Sequence, residues 1–154
     1  MSLEVGKPAP PFTLPDHNGN PWSLKAQRGK PVVLYFYPRD DTTGCTAQAC
    51  DIRDHWGRFT ELGVVVAGIS PDEPDSHRQF IGKYGLPHTL LADPERKVID
   101  RYGAWGARSM YGKTYMGVIR SSVVIDEHGK VVEVFAKIKP AEQSAKALEA
   151  LTAR

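Results

Sequence analysis

Residues 31–38, Pro-Val-Val-Leu-Tyr-Phe-Tyr-Pro, form a nearly unbroken β-branched and aromatic run. Apolar at successive positions, it reads as a strand buried on both faces, which belongs in the middle of a sheet. A second run, Val-Val-Val-Ala-Gly-Ile-Ser at 64–70, has the same character. Between them, residues 43–62 place Cys45, Ala49, Ile52, Trp56 and Phe59 at spacings of 4, 3, 4 and 3, with Gly63 as the stop. That stripe predicts one amphipathic helix. Strand, helix and strand in this order make a right-handed βαβ unit with parallel strands, and the fold class is α/β.

The flanking segments fit the same class. Around Asn18-Gly19 the proline-rich N-terminal stretch predicts a turn between short edge strands. SHRQFIGKYG and ERKVIDRYG read as helices with HTLLAD as a short strand between them. SSVVID and KVVEVFA form a hairpin across Glu127-His128-Gly129, and Pro140 opens a terminal helix. The expected architecture is a central mixed sheet flanked by helices, with an N-terminal β extension, in a single domain over 1–154. With 41% hydrophobic residues in 154, the chain can bury a core without disulfides or metal.

Charge and composition narrow the function. Twenty basic against eighteen acidic residues, scattered along the chain, give no sign of an electrostatic nucleic-acid binder. No stretch approaches the ~18 apolar residues of a membrane span, and the opening MSLEVGKPAPPF lacks the basic and apolar regions of a secretory leader. A cytoplasmic protein is expected. In that reducing setting a cysteine pair points to catalysis, redox chemistry or metal binding ahead of a structural bridge.

The two cysteines, Cys45 and Cys50, lie five positions apart directly after the first buried strand. An open α/β sheet places its chemistry outside the carboxyl ends of its strands. A cysteine in the first turn of the following helix meets unpaired backbone N–H groups and the positive end of the helix dipole, both of which favour a thiolate. Cys45 is therefore a candidate nucleophile. On the same spacing it also reads as a small apolar residue of the buried stripe. Thr42 is a good N-cap whatever the chemistry, and Arg39 reads as a solvated loop residue.

The combination is more specific than its parts. Pro38, Thr42 and Cys45 spell P-x-x-x-T-x-x-C after a strand ending in Phe-Tyr-Pro, which resembles the active-site motif of the peroxiredoxins, thiol peroxidases on a thioredoxin-like fold. Cys50 in GCTAQAC narrows the resemblance to the Q-type, or bacterioferritin comigratory, subfamily. APPFTLPDHNG, GISPDEPDSHRQF, LLADPERKVIDRYGAWG and GKTYMGVIRSSVVIDEHGK extend it to nearly the whole chain.

The resemblance implies that Cys45 is the peroxidatic cysteine and Cys50 the one that resolves it. Thr42 would hydrogen-bond thiolate and peroxide, Pro38 would shield the site, and Arg120 would stabilise the thiolate and orient the peroxide. Hydrogen peroxide or an organic hydroperoxide would be the substrate, and a thioredoxin or similar dithiol protein would reduce the Cys45–Cys50 disulfide. No cofactor or metal is needed, and a monomer is expected. Two positions depart from the pattern. Thr43 stands where many members carry proline, and Ser122, where threonine is common, is expected to affect packing only.

Two other classes compete. A thioredoxin-type dithiol oxidoreductase would share the fold but wants C-x-x-C, where this chain has C-x4-C. A metal or redox-sensing module would draw on the cysteines and His17, His55, His77, His88 and His128, none of which shows the spacing of a zinc site. Trp105, Tyr111 and Tyr115 are candidates for the substrate mouth.

Overall fold

The structure is a computed structural model that describes residues 3–154, with the backbone alone at Met110. The first two residues of the opening segment read for a leader lie outside the described residues.

The N-terminal extension pairs β1 (Thr13–Pro15) with β2 (Pro21–Ser23) in antiparallel register. Between them the Asp16 carboxylate accepts hydrogen bonds from the amides of Asn18 and Asn20, and Gly19 takes a positive φ of 81°. The carboxylate mimics a backbone acceptor, so the turn closes on local chemistry alone.

The long run becomes β3 (Val32–Phe36), every residue of it buried. It is followed by α1 (Thr43–Asp54), α2 (Trp56–Glu61), β4 (Val65–Ser70), α3 (Pro74–Tyr84), β5 (Thr89–Ala92) and α4 (Lys97–Arg101). Then come β6 (Trp105–Met110), β7 (Lys113–Val118), β8 (Ser121–Ile125), β9 (Val131–Phe135) and α5 (Gln143–Ala153). The main sheet has the order β5-β4-β3-β8-β9, with β3 at its centre, parallel to β4 and antiparallel to β8.

Alternation along β3 divides the core. Val32, Leu34 and Phe36 join the cluster built with Ile69, Leu91, Ile99 and Tyr102, on the side of the N-terminal extension and α4. Val33, Tyr35 and Tyr37 join the other, with Cys45, Ala49, Ile52, Phe59 and Leu148 from α1, α2 and α5. A strand buried on both faces must be apolar at every position, which is why its sequence shows no alternation.

Two features differ from the expectation. The single helix over 43–62 is interrupted at His55, whose backbone sits at φ −109°, ψ 13°. Its ring Nδ1 lies 2.8 Å from the Asp51 carbonyl, which also accepts from the Ser144 hydroxyl at 3.1 Å. The carbonyl that an α-helix would offer to the His55 amide is thus taken, and that amide bonds instead to Ile52 O. The second is a hairpin, β6 to β7, in a stretch given no regular structure from the sequence. Tyr111 and Gly112 turn it with φ of 52° and 78°, the two left-handed residues that a tight hairpin turn requires. No helix of the described residues is long and apolar enough to cross a membrane.

Candidate active site

The site forms where β3 runs into α1. Pro38, half-buried, ends the strand, residues 39–42 turn, and Thr42 occupies the N-cap position of α1 in extended conformation. Cys45 follows in the first turn with no exposed surface. Cys50 lies on the same helix, half-buried, and both cysteines are free thiols. On a regular helix, Cα atoms five apart are ~8.7 Å from one another, beyond the ~4.4–6.8 Å that a disulfide spans.

Arg120 reaches this sulfur from 75 residues away, at the start of β8. Its Nη1 donates to Cys45 Sγ at 3.0 Å and to Gln48 Oε1 at 3.2 Å. The guanidinium places a charged donor against the sulfur, within reach of whatever oxygen is bound or released there. The guanidinium comes close to Gly44, where an added Cβ would stand 2.5 Å from Nη2 and 2.9 Å from Cζ. Any side chain larger than hydrogen at 44 would displace the arginine.

Gln48 is itself held. Its Nε2 donates to Gln143 Oε1 at 2.7 Å, Gln143 Nε2 returns a bond to the Gln48 carbonyl, and the Ser122 hydroxyl donates to the same Gln143 oxygen at 3.0 Å. These three residues have no exposed surface, so each polar atom must find a protein partner. Ser122 therefore does more than pack: its hydroxyl belongs to the chain of bonds that ends on Arg120. Sequence reasoning missed Gln48 and Gln143. The available signal was a glutamine on the apolar stripe one turn after Cys45.

Thr42 behaves otherwise than expected. Its hydroxyl makes no capping bond and, among the described hydrogen bonds, none to Cys45; it donates to the Arg39 carbonyl at 2.9 Å. With its proton so committed, Thr42 Oγ1 presents lone pairs. Arg39 is exposed, as read from the sequence.

The turn is gripped from α3. Asp41, at φ 58°, accepts from Lys83 Nζ and the Tyr84 hydroxyl at 2.7 and 2.6 Å, bonds that hold its carboxyl below the usual range. Asp40 is buried and accepts from the Tyr37 hydroxyl at 2.6 Å, the Ser76 hydroxyl at 2.8 Å and His77 Nδ1 at 2.7 Å. Burial first, then Tyr35 and Asp40, pushes the Tyr37 hydroxyl well up, so it stays a donor.

Asp40, Asp72 and His77 bring potential ligand atoms within 4.8 Å of one another. Both ring nitrogens of His77 are already used, Nε2 by the Leu91 carbonyl and Nδ1 by Asp40, so the trio is a hydrogen-bond network, not a ligand set. His88 is buried against the Tyr35 hydroxyl at 2.7 Å.

A hollow of about 300 Å³ opens beside Arg120, lined by Ala107, Arg108, Ser109, Ile119, Lys137 and Ile138. None of Trp105, Tyr111 and Tyr115 lines it. Tyr111 is 98% exposed at the tip of the β6–β7 hairpin, and Trp105 lies under the Arg96 guanidinium at 4.1 Å.

The sequence of this chain matches the AhpC/TSA family over residues 5–134. Peroxiredoxin Bcp of Bacillus subtilis is 40% identical over 151 residues, 98% of this chain and 96% of that protein. Peroxiredoxin Bcp of Escherichia coli is 43% identical over 137 residues, 89% and 88% of the two chains. Among solved structures, peroxidoxin BcpB of Mycobacterium tuberculosis superposes with a TM-score of 0.87 at 34% identity, covering 98% of this chain and 97% of that one. The bacterioferritin comigratory protein of Xanthomonas campestris, whose alkyl peroxide reduction has been studied, gives 0.86 at 31% identity, covering 92% and 90%. A thioredoxin-like sheet, a cysteine at the start of the helix after its central strand and full-length likeness to these proteins lead to one assignment: the chain belongs to the AhpC/TSA family, in its Bcp or Q-type branch, and is a peroxiredoxin, a thiol peroxidase.

Proposed function

We propose that Cys45 is the nucleophile of this peroxidase and Cys50 its resolving thiol. The observation that carries the reading is the 3.0 Å contact from Arg120 Nη1 to the buried Cys45 sulfur, with the second thiol on the same helix. The Cys45 thiolate attacks the terminal oxygen of a hydroperoxide, an S–O bond forms as the O–O bond breaks, and the departing alkoxide or hydroxide takes up a proton. The sulfur is oxidised by two electrons and the peroxide reduced by two, leaving Cys45 as sulfenic acid. Arg120 stabilises the leaving oxygen, and Thr42 Oγ1, its own proton held by Arg39, accepts the hydrogen on the attacked oxygen. Pro38, which has no N–H to offer water, covers the end of the strand.

Cys50 then displaces hydroxide from the Cys45 sulfur, giving a disulfide and water. Closing ~8.7 Å to bonding distance requires α1 to unwind locally, and a thioredoxin-type dithiol protein restores both thiols by exchange. The chain works as a cytoplasmic monomer of one domain. In support, exposed large apolar side chains among the described residues are few, with Tyr111, Tyr115 and Met116 confined to the β6–β7 hairpin.

The test is turnover of hydrogen peroxide and an alkyl hydroperoxide with thioredoxin and its reductase. Cys45→Ser is expected to fall below ~1% of native activity; anything above that refutes the nucleophile. Cys50→Ser should consume about one equivalent of peroxide and then stop. Sustained thioredoxin-supported turnover in that variant would refute the resolving role.

A further inference from the structure

The bond that commits the Thr42 proton ends on one peptide unit. The Arg39 carbonyl accepts from Thr42 Oγ1 at 2.9 Å. The N–H of that same peptide, on Asp40, donates to Asp72 Oδ2 at 2.8 Å. Asp72, after β4, is held in turn, since its Oδ2 also accepts the Ser70 hydroxyl at 2.7 Å and its amide donates to Ser70 Oγ at 3.2 Å. Ser70 has no exposed surface. Next along the chain, the Asp40 side chain is fastened by Tyr37, Ser76 and His77. The peptide can neither rotate nor translate while these bonds stand.

The geometry points to Asp72 as a positioning residue for the peroxide step, acting on Thr42 through the Arg39–Asp40 peptide. An amide whose N–H donates to a carboxylate becomes a stronger acceptor at its carbonyl. The Arg39 oxygen therefore binds the Thr42 hydroxyl hydrogen more firmly and aims it away from the sulfur. What remains towards the substrate is an oxygen with lone pairs alone. The attacked peroxide oxygen carries a hydrogen and needs an acceptor of that kind; a Thr42 hydroxyl free to rotate would spend part of its time presenting its own proton instead. Asp72 lies 27 residues beyond Cys45 and outside the P-x-x-x-T-x-x-C stretch. Its carboxylate touches neither substrate nor sulfur, so its effect is on orientation.

The inference rests on the proposed role of Thr42 and is tested beside it. Two rates are read on the reduced protein: oxidation of Cys45 by hydrogen peroxide, and its alkylation by iodoacetamide. Alkylation is a displacement at carbon with no hydrogen to be accepted, so it reports the sulfur and the helix but not Thr42. Asp72→Ala is expected to lower the peroxide rate about tenfold and to leave alkylation within about twofold. Asp72→Asn, which keeps an acceptor oxygen, should restore most of the loss. In the double variant Thr42→Val with Asp72→Ala, the rate should equal that of Thr42→Val alone, because the second change has nothing left to orient.

A parallel fall in alkylation would make Asp72 a general support of the helix start and overturn the inference. So would a native peroxide rate in Asp72→Ala, or losses that multiply in the double variant. A native rate in Thr42→Val would instead refute the Thr42 reading itself, and the inference with it. Should Asp72→Ala prove too unstable to assay, Ser70→Ala carries the same test, with an expected loss of about threefold in the peroxide rate alone; an unchanged rate there overturns the inference.

Discussion

Replacing Gly44 with alanine separates the stability of α1 from its chemistry, because the two respond in opposite directions. The new Cβ would stand 2.5 Å from Arg120 Nη2, 2.9 Å from Cζ and 3.3 Å from Nε, whereas ordinary contact begins at 3.4 Å. The guanidinium must retreat by about 0.9 Å, the difference between 3.4 and 2.5 Å, and its bonds to Cys45 Sγ and Gln48 Oε1, now 3.0 and 3.2 Å, stretch together. A hydrogen bond to a charged group contributes about 1.5–3 kcal/mol, so losing most of it slows Cys45 oxidation by roughly ten- to a hundredfold. Gly44 has no positive φ and lies inside α1, so the helix itself gains up to about 1 kcal/mol from alanine. Stopped-flow oxidation by hydrogen peroxide should therefore slow while the thermal midpoint holds or rises by ~2–4 °C. Combined with Arg120→Met, Gly44→Ala should cost nothing further. A peroxide rate within about threefold of native, or a further full-sized loss in the Arg120→Met background, would show that the close approach of Arg120 to Gly44 does not matter to the reaction.

Three further outcomes are expected. Arg120→Met removes the guanidinium altogether and should slow the peroxide step by at least about a hundredfold; single-turnover loss of the Cys45 thiol checks it, and a near-native rate would place the charge elsewhere. Oxidation to the Cys45–Cys50 disulfide should strip amide protection from residues 43–53 and also from Ser144, whose amide donates to Asp51 Oδ2 at 2.8 Å, while Asp41 stays clamped to Lys83 and Tyr84. Hydrogen exchange on both redox states tests this, and a Ser144 amide equally protected in each would mean that α1 keeps its contact with α5. His88 is lowered from 6.5 to about 3, by burial first and by His17 second. Below pH 6.5 the unfolded chain binds this proton and the folded chain does not, so stability falls as pH drops from about 6.5 towards 3, by roughly 2 kcal/mol at pH 5. Urea melts at pH 7.5 and 5 should show that difference and His88→Gln should largely abolish it; equal slopes in the two proteins would refute it.

Each element that the sequence determined by itself carries its cause within a short window. β3 is apolar at consecutive positions because both its faces are covered, and that is visible without knowing what covers them. The β1–β2 and β8–β9 turns are legible because Asp16 and Asp126 bond to amides two and four residues on. Cys45 at a helix start follows from the same local logic, since the strand before it and the stripe after it are both periodic signals. The β6–β7 hairpin escaped because it packs little against the core and so shows no clean apolar alternation; Tyr111-Gly112 was its one mark.

Tertiary structure decided whatever depends on partners distant in sequence. The stripe from Cys45 to Phe59 is continuous, yet the helix breaks at His55, where the ring and Ser144 of α5 compete for the Asp51 carbonyl. Periodicity records which face of a helix is apolar and is blind to such competition. The site shows the same division. Cys45, Thr42 and Pro38 lie in one short stretch, but Arg120 meets the sulfur only because β8 lies antiparallel beside β3, pairing Phe36 with Ser121. Gln48 with Gln143, and Asp40 with His77 and Asp72, likewise meet through buried or part-buried bonds whose partners the chain fixes only when the sheet order and helix packing bring them together. A buried polar atom must find a partner, but which one it finds is settled by the register of strands and the placement of helices, quantities that no local window contains.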